Sequence, residues 1–330
     1  MTTAAIAPVG TERDQRAAQL AVEALEPLER GTHQVMVGRT SVRASNLHKV
    51  LYPDAGTTKL DVLRAYARMA PAVLAHGRGR PLTMKRYPDG VDAEFFFQKR
   101  APEQRPSWVQ ATGPIGDQQV NYPLLDDVRT LLWAANLGSI ELHVLLARHT
   151  AVQSPTALMY DLDPGEGTGI VECCAVATLV RELFATFDLD SYAKTSGSKG
   201  VQVSVPLNRP GITYADTKPF SKAVAELLER EHPDLVVSKQ LKELRRGKVL
   251  IDWSQNDASK TTICAYSLRA RERPRVSTPV TWQEVAETAA GSDQEALRFE
   301  VDDVVARLAE HGDLFEPVLK QRQLLPELGE

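Results

Sequence analysis

The chain has 330 residues, 43% of them hydrophobic and 25% charged, enough to bury one large core or two coupled modules. No apolar run is long enough to span a bilayer, and Met1-Thr-Thr-Ala-Ala-Ile6 has no basic segment leading into an apolar stretch, so no membrane span or secretion signal is expected. The net charge of −4 argues against indiscriminate coating of nucleic acid and leaves room for a local basic groove.

Residues 1–35 are rich in Ala, Glu and Arg and predict a tail with one amphipathic helix, Asp14 to Leu28. Val35 to Arg43 alternates like a strand or hairpin. Thr58-Lys-Leu-Asp61 resembles a capping box, opening a helix that runs to His76 and stops at Gly77, with Pro71 a point where it kinks or divides. Pro81 to Tyr87 and Ala93 to Gln98 read as strands of one small sheet. In the Phe95-Phe-Phe97 run, alternation turns at least one ring to the core and leaves a neighbour to stack on a base. Asp126 to Leu137 is helical, and Ser139 to Val144 is strand-like with His143 on one face.

Thr156-Ala-Leu-Met-Tyr160 is an apolar run that closes on Asp161-Leu-Asp163 and a Pro164-Gly165 turn. In an extended strand, residues i and i+2 share a face, so both carboxylates emerge together and repel unless a cation sits between them. Oxygen-only donors suit Mg²⁺ or Mn²⁺. A calcium-binding loop does not fit, because its glycine position holds Glu166 and its third ligand position holds Gly165. Val171 to Thr186 is a helix with a long apolar face, and the adjacent Cys173 and Cys174, like Cys264, read as core thiols of a reducing, cytosolic protein.

Lys194 to Pro206 reads as a Gly-rich turn entering a Val-rich strand. Within it, Lys194-Thr-Ser196-Gly-Ser198-Lys199-Gly200 supplies glycines, hydroxyls and a cation suited to a phosphate, without the order of a Walker A loop. A helix follows from Pro219 to Arg230. Lys239, Lys242, Arg245, Arg246 and Lys248 cluster just before Val249-Leu-Ile-Asp252-Trp253, a second apolar run ending in Asp. Three carboxylates at strand ends are what a two-metal phosphoryl-transfer site needs. Val249 to Trp253 and Thr261 to Leu268 look like paired strands. Arg269, Arg271, Arg273 and Arg275 alternate, which on an extended backbone puts all four on one side. The chain from Trp282 onward is mostly helical. The class is α/β (α+β), with mixed or antiparallel sheets, because strands arrive in both hairpin and crossover contexts. Residue chemistry alone favours nucleotidyl transfer, with metal-dependent phosphodiester hydrolysis close behind.

These motifs resemble the archaeo-eukaryotic primase superfamily, and most of all the polymerase domain of bacterial DNA ligase D, used in non-homologous end joining. The resemblance runs from about Ser45 to Trp282. It rests on Asn46-Leu-His-Lys49-Val-Leu-Tyr-Pro53, Thr58-Lys59, Lys85-Arg86-Tyr-Pro, Phe96-Phe97, Glu141-Leu-His143-Val, Asp161-Leu-Asp163-Pro-Gly, Thr195-Ser-Gly-Ser-Lys-Gly200, Asp252-Trp-Ser-Gln-Asn256 and Tyr266-Ser-Leu-Arg269. It implies a primase-polymerase fold with two mixed or antiparallel sheets flanked by helices, occupying 36–330.

The resemblance also implies site roles. Asp161, Asp163 and Asp252 hold two ions, Mn²⁺ or Mg²⁺. Lys85, His143, Ser196, Lys199 and Arg269 bind the incoming NTP or dNTP, ribonucleotides preferred. Lys49 and Lys59 bind the 5′-phosphate downstream of a gap, and Phe96 and Phe97 stack near the template base. Gln202 stands where the family commonly has His. With no Lys-x-Asp-Gly ligase motif and no room for a fused ligase or nuclease domain, the expected protein is a stand-alone primase-polymerase, or an excised domain, of the bacterial cytoplasm and nucleoid. It is expected to act on DNA gaps or ends beside a separate ligase and an end-binding protein. A non-catalytic scaffold for DNA ends and a metal-dependent nuclease are the competing readings.

Overall fold

In the computed structural model, which describes residues 9–326, the chain divides into two units. The first takes in the chain to Val144, with Ile263–Ser277 and Phe299–Asp313. The second takes in Leu145–Thr262, Thr278–Arg298 and the chain from Leu314. The expected mixed α/β class holds: helices flank an antiparallel sheet in the first unit and a mixed six-stranded sheet in the second.

The first unit is organised by the helix Lys59–Gly77. Thr58 and Asp61 close its N-terminus as a capping box, each side chain taking the other's free backbone N–H. The helix runs through Pro71 as one segment, because burial of residues such as Leu63, Tyr66, Ala67, Met69, Ala70 and Leu74 outweighs the hydrogen bond that proline removes. The N-terminal helix spans Glu12–Leu25, starting at its Thr11 cap, and it packs on Lys59–Gly77 through buried Ala18, Ala21 and Leu25. The expected strand or hairpin is a hairpin, His33–Val37 paired with Thr40–Ala44.

Strands Leu82–Arg86, Phe96–Gln98 and Ser139–Leu145 form the antiparallel sheet, with Leu82–Arg86 between the other two. Its far edge is continued by the segment entering at Ile263, where Cys264 N–H donates to Leu142 O at 2.9 Å. Fully buried Tyr66 ties the organising helix to this layer: its hydroxyl donates to Ile140 O at 2.5 Å and accepts from Leu268 N–H at 3.2 Å.

The second unit is built on a sheet whose strand order is Val236–Val237, Val249–Asp252, Ala157–Pro164, Val201–Pro206, Tyr192–Thr195 and Pro279–Val280. The first pair is parallel and the rest antiparallel. Helix Ile170–Ala185 and helix Tyr214–Glu231 supply the aromatic core below the Tyr160 face. Rings of Tyr160 and Phe184 lie 5.5 Å apart, and Phe184 and Phe220 6.2 Å apart. Burying a ring of this kind stabilises by roughly 1.5–3 kcal/mol, and Phe184→Ala should cost about 3–5 kcal/mol. Because side chains alternate, the opposite face of the same strand is left to Asp161 and Asp163.

Three local expectations differ from the structure. The helix assigned to Pro219–Arg230 begins at Tyr214, because the Thr213/Asp216 capping box, and not the proline, marks its start. Val249–Asp252 does not pair with Thr261–Ile263; it pairs with Ala157–Pro164, and Thr261–Ile263 belongs to a different sheet. The four alternating arginines do not lie on an extended strand. Arg269 N–H donates to Arg275 O at 2.8 Å, so the chain reverses between them. Arg269 then reaches Glu141 while Arg273 pairs with Glu300. The thiols of Cys173, Cys174 and Cys264 are buried and unbridged, as expected. No helix among the described residues is long and apolar enough to cross a membrane.

Candidate active site

The acids of the second unit lie on neighbouring strands. Asp252 is directly opposite Asp161 in the antiparallel register, and directly opposed residues share a face. Asp163 follows on the same face, and its carboxylate lies 3.8 Å from the Arg245 guanidinium. Burial, and then the charge of Asp163, push the Asp161 carboxyl up to about 7, against a hydrogen bond from Gln202 that pulls it down. Asp161 Oδ1 is buried and without a hydrogen-bond partner.

Asp252 is held differently. Its Oδ1 accepts from Gln240 Nε2 at 2.9 Å, Ser254 Oγ at 2.6 Å and Ser254 N–H at 3.0 Å, while Gln255 Nε2 donates to Oδ2 at 2.9 Å.

Close approach of backbone builds the surroundings of these acids. A Cβ on Gly165 would meet Arg245 O at 1.7 Å, so the Asp163-Pro-Gly turn lets the basic segment 239–248 lie against the strand end. A Cβ on Gly200 would meet Leu162 O at 2.0 Å. This lets the Ser196–Gly200 turn close over the Asp161 strand. Ser196 Oγ accepts from Ser198 N–H at 3.2 Å and Gly200 N–H at 3.1 Å, so the hydroxyl shapes the turn, while Lys199 is exposed at its tip.

The first unit gathers the other candidate nucleotide-binding residues around an acid. Glu141 is buried and receives His143 Nε2 at 2.9 Å, Arg269 at 3.3 Å, Lys85 at 3.7 Å and Ala270 N–H at 3.2 Å. Burial alone would raise its pKa; the His143 hydrogen bond and the charges of Arg269, His143 and Lys85 outweigh that and hold it at about 2. Burial lowers the pKa of His143 and Lys85 in turn, opposed in each by Glu141. Tyr52 fixes the backbone of Arg269 by donating to its carbonyl at 3.0 Å.

All three phenylalanines are exposed, Phe95 by 50%, Phe96 by 45% and Phe97 by 53%, which corrects the expectation that one faces the core. They sit at the outer strand of a small sheet, where cations take the place of a core. The Lys85 ammonium lies 4.1 Å from the Phe95 ring centre, Arg86 lies 5.0 Å from Phe96, and Phe97 meets His143 edge to face at 5.9 Å.

Lys49 and Lys59 line one cavity of about 670 Å³, together with Arg43, Arg86 and Trp108. A short bulged hairpin brings them together, with Lys59 N–H donating to Lys49 O at 2.8 Å. Lys49 pairs with Asp89 at 2.5 Å at the surface, whereas Lys59 is buried. Burial first, then the charges of Lys49, Arg86 and Arg43, depress Lys59 to about 8. An anion entering this cavity relieves that repulsion.

Sequence reasoning did not single out Glu141, Lys194, Gln240 or Arg86. Glu141 was legible in principle, two residues before His143 on the same strand face. The others depend on folds of distant segments.

Among the described residues, no group of three His, Cys, Asp or Glu side chains is drawn together closely enough to hold a metal ion. Both oxygens of Asp252 are taken up by amides and a hydroxyl. The donor chemistry nonetheless fits a hard divalent cation: only carboxylates, two of them directly opposed, with an unpartnered buried oxygen on Asp161.

The chain is similar to several known proteins. The model of the LigD primase-polymerase domain matches residues 58–315. The multifunctional non-homologous end joining protein LigD of Mycolicibacterium smegmatis is 42% identical over 281 residues, covering 84% of this chain and 36% of that protein. The bifunctional LigD of Bacillus subtilis is 30% identical over 268 residues, covering 81% and 42%. The chain therefore spans well under half the length of these curated relatives. Among solved structures, the polymerase domain of Mycobacterium tuberculosis ligase D in complex with DNA superposes with a TM-score of 0.77 at 38% identity, covering 83% of this chain and 96% of that one.

Proposed function

The chain belongs to the LigD primase-polymerase family, and from that premise we propose that it is a template-directed nucleotidyltransferase. It adds nucleotides, ribonucleotides in preference, at short gaps or ends during repair of broken DNA. The observation that carries this reading is the Asp161–Asp252 pair on adjacent strands, with Asp163 beside it and Asp161 Oδ1 buried and unpartnered.

Asp161, Asp163 and Asp252 would hold two ions, Mg²⁺ or Mn²⁺. The chemistry these supply when bound is activation of the primer 3′-hydroxyl and stabilisation of charge at the α-phosphate during in-line displacement. The protein's own part is to keep the carboxylates in place and to neutralise the nucleotide's charge. Asp252 joins the site by releasing the Gln240 and Gln255 amides. In the first unit Lys85, His143 and Arg269, already turned toward the anion Glu141, are donors suited to a triphosphate, and in the second unit Ser196 and Lys199 of the glycine turn have the same chemistry.

The cationic cavity of Lys49 and Lys59 suits a terminal 5′-phosphate, and the exposed rings of Phe96 and Phe97 suit a template base. The solved relative is in complex with DNA, which supports DNA as the partner. A ligase activity and an end-binding protein would complete the repair.

The test is primer extension on a short-gapped duplex with Mn²⁺, with or without a downstream 5′-phosphate, using ribo- or deoxyribonucleotides. The expected result is extension that favours ribonucleotides, improves with the phosphate and is lost in Asp161→Ala/Asp163→Ala. Degradation of the primer in the absence of nucleotide would point instead to a nuclease. Binding of ends without extension would point to a scaffold.

A further inference from the structure

The sheet register of the second unit places four polar residues in one continuous rung. Asp252 opposes Asp161, Asp161 opposes Gln202, and Gln202 opposes Lys194. Opposed residues in an antiparallel sheet share a face, so carboxylate, carboxylate, amide and ammonium stand in a row.

The last of these is unusual. Lys194 is 1% exposed, and lysine is almost never buried to that degree unless paired. Its ammonium donates to Gln202 Oε1 at 2.5 Å, and Thr262 Oγ1 donates to the same oxygen at 3.5 Å. An ammonium can only donate, so it fixes which way the amide points: oxygen toward Lys194, nitrogen toward Asp161. Gln202 lies directly opposite Asp161 in the register, so its amide nitrogen is on the carboxylate's side, and Asp161 Oδ1 is left buried without a hydrogen-bond partner.

We propose that Lys194 is a positioning residue for Asp161, acting through Gln202: its ammonium locks the amide so that the amide N–H holds one carboxylate oxygen and leaves Oδ1 open to a cation. This rests on the metal-binding reading of Asp161 given above. Groups that orient metal ligands are typically worth about 10–100-fold in metal affinity.

The experiment is a double-mutant cycle read as the Mn²⁺ dissociation constant, measured by electron paramagnetic resonance on the nucleotide-free protein. Its corners are the unmutated chain, Lys194→Met, Gln202→Leu and the double variant, with each fold checked by near-ultraviolet circular dichroism. Lys194→Met is expected to weaken Mn²⁺ binding about tenfold, Gln202→Leu by a similar factor, and the double variant no more than Gln202→Leu alone. Affinity unchanged in Lys194→Met, or losses that multiply in the double variant, would overturn the proposal.

Should Lys194→Met fail to fold around the stranded amide, the comparison of the double variant with Gln202→Leu decides. Equal affinities support the lock, and a weaker double variant refutes it. Failure of the unmutated chain to bind Mn²⁺ would instead remove the premise, which separates the two outcomes.

Discussion

Glu141 and Asp161 are both buried carboxylates on strands, and their surroundings drive them in opposite directions. Glu141 is ringed by His143, Arg269 and Lys85 and is held at about 2. Asp161 is driven up to about 7 by burial and by Asp163. The first acid is neutralised by the protein itself. The second is opposed by two neighbouring acids, and the Gln202 amide and the Lys194 charge offset them only in part. Burial is common to both; what differs is that cations dominate around Glu141 and acids around Asp161, so one carboxyl is pulled down and the other pushed up.

The largest expected effect falls on the acid that is pushed up. Asp161→Asn should lower nucleotide addition about a thousandfold or more, since metal-held charge stabilisation is worth several kcal/mol and each ~1.4 kcal/mol is tenfold. The same variant should not lose stability at neutral pH in metal-free buffer. The folded-state pKa lies above the ordinary aspartate value of 3.8, so the folded chain keeps a proton that the unfolded chain has released. Stability therefore falls as pH rises from about 4 through 7, and the asparagine variant should flatten that slope in thermal melts. A lower melting temperature for Asp161→Asn at pH 8 would break the comparison.

Glu141→Gln should do the reverse. Its folded pKa lies below the ordinary glutamate value of 4.5, so the stability it contributes is present above about 4.5 and lost as pH falls through about 2. Removing the charge strands Lys85 and Arg269 beside a neutral amide, a change worth about 3–5 kcal/mol for a buried pair. At pH 7 the melting temperature should drop by roughly 6–20 °C for units of this size. An unchanged melting temperature would mean that the cations are balanced elsewhere.

Lys59 mirrors Asp161 with the sign inverted: a buried cation among cations, awaiting an anion. Lys59→Met should weaken binding of a 5′-phosphorylated gap about 10–100-fold, from a charge-assisted bond worth about 1.5–3 kcal/mol, and leave the hydroxyl-ended gap unaffected. In the unmutated protein the preference for phosphate should be full below about pH 8 and shrink as pH rises through that value, where Lys59 loses its proton. A preference that stays constant to pH 9 would shift the assignment to Lys49 and Arg86.

How much of this was legible in the sequence follows the range of the interactions. Asp161 and Asp163 were readable because strand alternation is local, and Thr58 and Asp61 because a capping box spans four residues. The Glu141 cluster was not, since Lys85 and Arg269 arrive from segments far away in the chain. Lys194 reads from sequence as the first residue of a Gly-rich, phosphate-handling turn; only the register with Gln202 reveals its buried partner. The arginines from 269 to 275 were misread because periodicity cannot detect the backbone bond that reverses the chain between them.

The smallest effect concerns the rings that border the compensated acid. Phe97 is exposed, yet its ring meets His143 edge to face and lies 5.6 Å from the Lys85 ammonium, so it either covers the Glu141 cluster or offers its outer surface to a base. Substitution separates the two roles. Stacking of a base on an aromatic side chain is worth about 1–3 kcal/mol, whereas an exposed side chain away from special contacts changes stability by about 0.5 kcal/mol at most. Phe97→Leu should therefore weaken binding of a single-stranded template overhang about fivefold or more, while the melting temperature moves by no more than a few degrees. Loss of stability with template affinity intact would assign the ring to the Glu141 cluster, as the apolar wall that keeps its ion pairs out of water.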